Sequence, residues 1–184
     1  MELADRIKQQ EEAAFTETMQ LYGDYLTRTA FLLLKDYQLS QEIVQDTFFI
    51  AFQKIDQLEN PNRLKSWLTT IVWNQCRSTM RTLTFKNVFA SRHEKLENSV
   101  DNGLTPEDNI LGIERNMELA NAIQKLSYKY REVIILYYYN DLTITEISRL
   151  TQTKESTIKS RLKRGRTSLK DVLSTMEVAS HARE

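Results

Sequence analysis

The 184-residue sequence has one cysteine, two prolines, four glycines and two histidines, and each scarcity removes a class of protein. A single thiol, Cys76, rules out the internal disulfide framework that staples small secreted domains. Few glycines and prolines disfavour a chain of short strands and tight turns, and favour long helices. The apolar runs, such as residues 133–139, fall far short of the roughly 20 residues that cross a bilayer. The acidic opening Met-Glu-Leu-Ala-Asp lacks the basic-then-apolar order of a secretory signal, which predicts a cytoplasmic chain with no direct membrane insertion. Neither histidine, His93 or His181, lies near Cys76 in sequence. There is no Gly-rich phosphate loop, no metal-ligand spacing and no nucleophile elbow. Carboxylates are plentiful, but none forms a recognisable catalytic pair. The expectation is a protein that is not an enzyme and has no metal, no cofactor and no small-molecule substrate.

What the sequence does have is segregated charge. Its 25 Lys/Arg and 25 Asp/Glu cancel. Residues 61–86, however, carry five bases and no acid, and residues 149–170 carry eight bases against one acid, Glu155. Acids outnumber bases eleven to five over residues 1–60, and seven to three over 87–118. Two basic zones between acidic stretches predict two polyanion-binding surfaces on a neutral protein.

Helical periodicity runs through most of the chain. Phe15, Met19, Tyr22, Leu26 and Ala30 recur at helical spacing and lead into the apolar run 31–34. Ser40 is placed to cap a helix with Ile43, Val44, Thr47, Phe48, Ala51, Phe52 and Ile55 on one face. Asn60-Pro61-Asn62 breaks the pattern, and Leu64, Trp67, Leu68, Ile71 and Val72 restart it. Residues 87–103 are polar, acidic and without a stripe, the composition of a linker. Thr105-Pro106-Glu107-Asp108 then signals a helix start. Ile110, Leu111, Met117, Ala120 and Ile123 follow at core spacing, and Ser127 can cap a helix with Val133, Ile134, Leu136 and Tyr137. The fold class expected is all-α: two small helical domains, 1–90 and 106–176, with a flexible acidic linker at 91–105 and a tail at 177–184.

The second domain ends in the most informative stretch. Thr143-Ile144-Thr145-Glu146 has the form of a capping box. Ile144, Ile147 and Leu150 give the short helix behind it an inward edge. Thr151-Gln152-Thr153 breaks it, and Thr153 can cap the next helix. There Ile158, Leu162, Leu169 and Leu173 line one face, leaving Lys159, Ser160, Lys163, Arg164 and Arg166 outside. A short helix, a three-residue turn and a second, basic helix predict a helix-turn-helix whose second helix enters the major groove. A helical hairpin with a solvated basic back is the alternative.

The stretch "LTITEISRLTQTKESTIKSRLKRGR" resembles the carboxy-terminal helix-turn-helix of extracytoplasmic-function sigma factors, initiation subunits of bacterial RNA polymerase. "EIVQDTFFIAFQKI" is similar to that family's polymerase-binding helix, and "LKSWLTTIVWNQCRSTMR" to its promoter-melting helix. The turn often carries Gly in this family where this chain has Gln152, and a non-Gly residue tolerates a left-handed backbone poorly. The resemblance implies a sigma factor that binds core RNA polymerase and promoter DNA, duplex and melted, for a stress or envelope regulon. It also implies a cognate anti-sigma factor.

By matching position, the resemblance gives Lys159, Ser160, Lys163 and Arg164 the reading of the minus-thirty-five element, with Arg149, Thr157 and Arg161 as phosphate contacts. Asn74 would meet an unpaired base of the minus-ten element beside Arg77 and Arg81. The loop 59–63, with Asn60, Asn62 and Arg63, would receive a flipped base. Gln45, Asp46, Phe49 and Gln53 would meet the polymerase clamp helices. Trp67 is in phase with Leu64, Leu68 and Ile71 and is read as core. Trp73 stays open between core and stacking platform. Tyr137, Tyr138 and Tyr139 are read as mainly packing. A dimeric helix-turn-helix regulator acting without polymerase remains the alternative function.

Overall fold

The computed structural model describes residues 2–90 and 117–181, with side chains over 2–82 and 118–176. Among these residues all regular structure is helical. The chain divides into two compact units, 1–105 and 106–184. The expected linker and the helix start at Thr105-Pro106, with Ile110 and Leu111, lie outside the described residues.

In the first unit a short helix α1 (Leu3–Lys8) leads into three long ones, α2 (Glu12–Leu34), α3 (Tyr37–Gln53) and α4 (Leu64–Ala90). The three long helices pack pairwise, each against the other two. Their shared core is Leu26, Ala30 and Leu33 from α2, Ile43, Val44, Phe48 and Ala51 from α3, and Leu64, Leu68, Val72, Trp73 and Cys76 from α4. Thr18, Thr47 and Thr69 are also buried, and each hydroxyl donates to the carbonyl four residues back at 2.7–2.8 Å. These bonds remove the penalty of burying an unpaired hydroxyl. The Tyr25 hydroxyl also meets Thr69 Oγ1 at 3.1 Å, joining α2 to α4.

Several sequence expectations shift. Met19 is 43% exposed; the inward residues of α2 there are Ala14 and Thr18. Ser40 does not cap α3. Lys35 takes a left-handed backbone (φ 67°) that ends α2, so the next helix starts four residues earlier than expected. Asp36 is its cap, accepting from the Leu39 N–H at 3.0 Å, while Ser40 is buried one turn in and donates to the Asp36 carbonyl. Helix α3 ends at Gln53, and Ile55 opens a 3₁₀ turn, Ile55–Gln57, with a second at Pro61–Arg63.

The second unit contains α5 (Met117–Lys125), α6 (Tyr128–Ile134), α7 (Ile144–Thr151) and α8 (Glu155–His181). Helices α5, α6 and α7 all pack on α8 around Ala122, Leu126, Val133, Ile134, Leu136, Ile147, Ile158 and Leu162. Ala122 within α5 and Leu126 just past its end are buried, offset from the expected Ala120 and Ile123, which are half-buried. Ser127 occupies the cap position of α6 as expected, without a side-chain capping bond. Gly165 is buried where α8 meets α6, and a Cβ there would stand 3.1 Å from Ile134 Cγ1. That glycine lets the two helices approach closely.

Helix α6 continues as a π turn, Ile135–Tyr139, closed by Asn140 N–H to the Ile135 carbonyl at 3.0 Å. The wider turn changes the phase of the three tyrosines. Tyr137 and Tyr138 are 37% and 52% exposed and touch edge to face at 4.9 Å, so they are not core packing. Tyr139 alone is half-buried.

Candidate nucleic-acid interface

The helix-turn-helix is built from local bonds. Thr143 Oγ1 accepts from the Glu146 N–H at 3.2 Å, and Glu146 Oε2 accepts from the Thr143 N–H at 2.9 Å. This is the reciprocal capping box the sequence predicts. At the other end of α7, Gln152 has φ 53° and ψ 38°, the left-handed region. Its N–H donates to the Arg149 carbonyl at 3.4 Å, and the Thr153 N–H to the Ser148 carbonyl at 3.1 Å. These two bonds form a Schellman stop. Ser148 Oγ adds a bond to the Thr153 carbonyl at 2.7 Å. Thr153 does not cap α8: its hydroxyl donates to the Thr151 carbonyl at 3.2 Å.

Helix α8 then turns Ile158, Leu162 and Gly165 inward and Lys159, Ser160, Lys163, Arg164 and Arg166 outward. Thr157 and Arg161 are half-buried at the edges of that face, and Arg149 of α7 is exposed. Ser160, Lys163 and Arg164 line an open groove of about 450 Å³ with Tyr130, Thr167 and Ser168. Glu155, the lone acid of this zone, accepts from the Thr145 hydroxyl at 2.7 Å. Tyr138 extends the face, its hydroxyl 3.5 Å from Arg166 Nη1.

The second basic zone is on α4. Asn74 and Arg81 are exposed and Arg77 is half-buried; at spacings of three and four they share one face of the helix. The Arg77 guanidinium lies 5.1 Å from the Trp73 ring centroid, within cation–π range. Of the two tryptophans, the sequence reads Trp67 as core and leaves Trp73 open. Trp73 is 1% exposed and belongs to the core, whereas Trp67 is only half-buried. Trp67 stands two turns before Asn74, hence on the same face, and is an aromatic ring on it among the described residues. Cys76 is buried beside this face, and burial pushes its thiol up to about 12, which makes it a packing group and not a redox handle.

The loop before α4 is self-bonded. Asn60 Oδ1 accepts from the Asn62 N–H at 3.0 Å and the Asn60 carbonyl from the Arg63 N–H at 2.9 Å. Asn60, Asn62 and Arg63 are exposed. On α3, Gln45, Asp46, Phe49 and Gln53 are all exposed along one stripe, and Phe49 is 64% exposed, a large apolar side chain left in water. The first unit therefore presents the loop, the α4 face and the α3 stripe, and the second presents the α8 face. Sequence reasoning missed Trp67 as an available ring and α1 as the loop's neighbour. Among the described residues no cluster of His, Cys, Asp and Glu could hold a metal ion, and no helix is long and apolar enough to cross a membrane.

Known protein families match both units. The family model "Sigma-70 region 2" matches residues 18–85 and "Sigma-70, region 4" matches 116–169, together well over half of the chain. The ECF RNA polymerase sigma factor SigW of Bacillus subtilis (strain 168) is 26% identical over 174 residues, 91% of this chain and 93% of that protein. RNA polymerase sigma factor SigV of the same organism is 28% identical over 137 residues, 74% and 77% of the two chains. The sigma factor RpoE from Bartonella quintana, solved with the anti-sigma factor NepR, is 28% identical with a TM-score of 0.68, covering 87% of this chain and 96% of that one. With region 2 on the α2–α4 bundle and region 4 on the helix-turn-helix unit, the chain belongs to the extracytoplasmic-function group of sigma-70 RNA polymerase sigma factors.

Proposed function

We propose that this sigma factor divides promoter recognition between its two units. Residues 1–90 bind core polymerase and melt the minus-ten element, residues 106–176 read the minus-thirty-five element, 91–105 tether them, and 177–184 form a tail. The observation that carries the reading is the placement of base-reading chemistry on the open faces of two separate helices. Asn74, Arg77, Arg81 and Trp67 share one face of α4, and Lys159, Ser160, Lys163 and Arg164 one face of α8. Melted strand is held by phosphate contacts, polar side chains and aromatic stacking, all present on the α4 face. Duplex is read by side chains near the start of a helix in the major groove, with Arg149, Thr157 and Arg161 holding phosphate beside it.

In the loop, Asn60 has one carbonyl lone pair committed to Asn62, which leaves its two amide N–H donors for a flipped base; Asn62 and Arg63 stand beside it. Gln45, Asp46, Phe49 and Gln53 dock on the polymerase clamp, with Phe49 as the buried anchor. The chain contributes no bond-making of its own, since nucleotide addition belongs to the polymerase. It works in the cytoplasm on a stress or envelope regulon and is held in check by an anti-sigma protein, as the co-crystallised relative is bound by one.

Run-off transcription on genomic templates with purified core polymerase tests the proposal. The expected result is a set of start sites that appear only when this chain is added. No association with core, together with tight operator binding by the free chain, would instead indicate a dimeric regulator.

A further inference from the structure

The first unit contains an element that lies ahead of the residues matched by the region 2 model. Helix α1 folds back on α2 and packs against both 3₁₀ turns, Ile55–Gln57 and Pro61–Arg63, which flank the start of the loop. It is fastened through its last turn and its apolar face. Arg6 grips Glu11 with two bonds, Nε to Oε2 at 2.8 Å and Nη2 to Oε1 at 2.6 Å, and reaches Glu17 of α2 with a third at 2.6 Å. A forked guanidinium with three carboxylate bonds fixes orientation better than a single charge does. Ala4 and Ile7 are each 1% exposed, so the helix is also seated by apolar contact.

In the same last turn Lys8 Nζ donates to the Leu58 carbonyl at 2.8 Å, across fifty residues of sequence. Leu58 is itself buried, and its own N–H donates to the Ile55 carbonyl at 3.0 Å. Both polar backbone groups of Leu58 are thereby occupied, and the chain leaves this point directly into Glu59, Asn60, Pro61, Asn62 and Arg63. A lysine whose stem lies half-buried and whose ammonium ends on a main-chain carbonyl is placed to hold backbone.

We infer that Lys8 is a positioning residue for the base-capturing loop: through Leu58 it fixes where Asn60, Asn62 and Arg63 stand, and so sharpens discrimination at the minus-ten base that the loop takes. The inference rests on the reading of that loop given above. A donor removed from Leu58 frees its carbonyl to turn toward water, and the loop then samples positions in which its amide donors miss the base edge. Discrimination falls while the contacts of α4 and α8 with DNA persist.

The test uses reconstituted holoenzyme and a promoter library randomised across the minus-ten element. Four chains are compared: the unchanged protein, Lys8→Met, Lys8→Arg and Asn62→Ala. Lys8→Met keeps the apolar stem and removes the donor; Lys8→Arg restores a donor. The expected result is that Lys8→Met compresses base preference at one position by roughly three- to tenfold, a partial loss of the discrimination a paired base edge supplies. Asn62→Ala flattens the same position, Lys8→Arg recovers it, and preferences in the minus-thirty-five element do not change. Full discrimination by Lys8→Met beside a clear loss in Asn62→Ala overturns the inference and leaves the loop reading intact. If neither variant changes any position, the loop takes no base and both fall. Should Lys8→Met lower activity at all promoters equally, with no rescue by Lys8→Arg, α1 is a structural prop only and the inference is overturned.

Discussion

Replacing Gln152 by glycine should make the helix-turn-helix unit more stable without changing what it reads. Gln152 stands at φ 53°, ψ 38°, and an L residue held there gives up about 1–2 kcal/mol relative to right-handed backbone. Its side chain is exposed, so deleting it sacrifices little packing. Both backbone bonds of the stop, Gln152 N–H to Arg149 and Thr153 N–H to Ser148, are main chain to main chain and survive the change. Against the relieved strain stands the greater freedom of glycine in the unfolded chain, about 0.5–1 kcal/mol. The balance is a gain of about 0.5–1 kcal/mol, or roughly 2–8 °C in the melting midpoint of a unit this size.

Urea unfolding of the full chain, with hydrogen exchange followed on peptides from α7 and α8, separates this unit from the first. Gln152→Pro is the counter-case, because it loses the N–H bonded to Arg149 and cannot adopt a positive φ, at about 3 kcal/mol or more. The minus-thirty-five preference of Gln152→Gly holoenzyme should match that of the unchanged protein, since glycine accepts the same backbone angles. If slower exchange in α8 does not accompany Gln152→Gly, the turn is not strained and the family's glycine at this position has another cause.

Phe49→Ala should leave the melting midpoint of the free protein nearly unchanged, because the ring is already mostly in water. It should weaken core polymerase binding by roughly tenfold or more in a titration, the loss of a buried aromatic anchor. Asn74→Ala should reduce permanganate-reactive thymines in the open complex by a factor of roughly ten, with core binding intact; an unchanged footprint removes Asn74 from the melting surface. Arg164→Ala should flatten preference at one or two minus-thirty-five positions in a randomised library, by about 1–3 kcal/mol. Arg161→Ala should weaken all promoters alike and lower the salt slope by about one. Identical library rankings for Arg164→Ala and the unchanged protein would mean that α8 holds DNA and does not read it.

Features fixed by near neighbours in sequence were legible before the structure. The capping box at Thr143 and Glu146 needs residues three apart, and the stop at Gln152 needs only the break between two apolar patterns. The inward positions Ile147, Ile158 and Leu162 follow from period alone. The failures have separate physical causes. Asp36 outcompeted Ser40 as a cap because Lys35 ends α2 in a left-handed turn, a backbone event that periodicity does not register. Trp67, read as core, is only half-buried, while Trp73, left open by the sequence, is core where α4 packs against both α2 and α3. Tyr137 and Tyr138 are exposed where packing was expected because a π turn advances each residue by less than the usual angle, while Tyr139 is half-buried. Lys8 was invisible for the plainest reason: its partner is fifty residues away.

The neutral net charge is consistent with DNA binding if, as proposed, promoter recognition is divided between the two units. Phosphate contacts dominate affinity and carry no sequence information, so a strongly basic chain would bind DNA everywhere. Here 13 of the 25 Lys/Arg fall in two short zones, 61–86 and 149–170, against a single acid, Glu155, which is engaged by Thr145. On the proposed reading each face alone commands few phosphates and so only modest affinity. Joined in one chain and carried by polymerase, the second contact becomes intramolecular, and its effective concentration supplies the affinity that charge does not. Specificity then depends on both elements being present on one promoter. With the proposed readers on α8 and α4, two weak contacts discriminate better together than one tight, unselective surface, because binding energy from general phosphate attraction raises right and wrong sites alike.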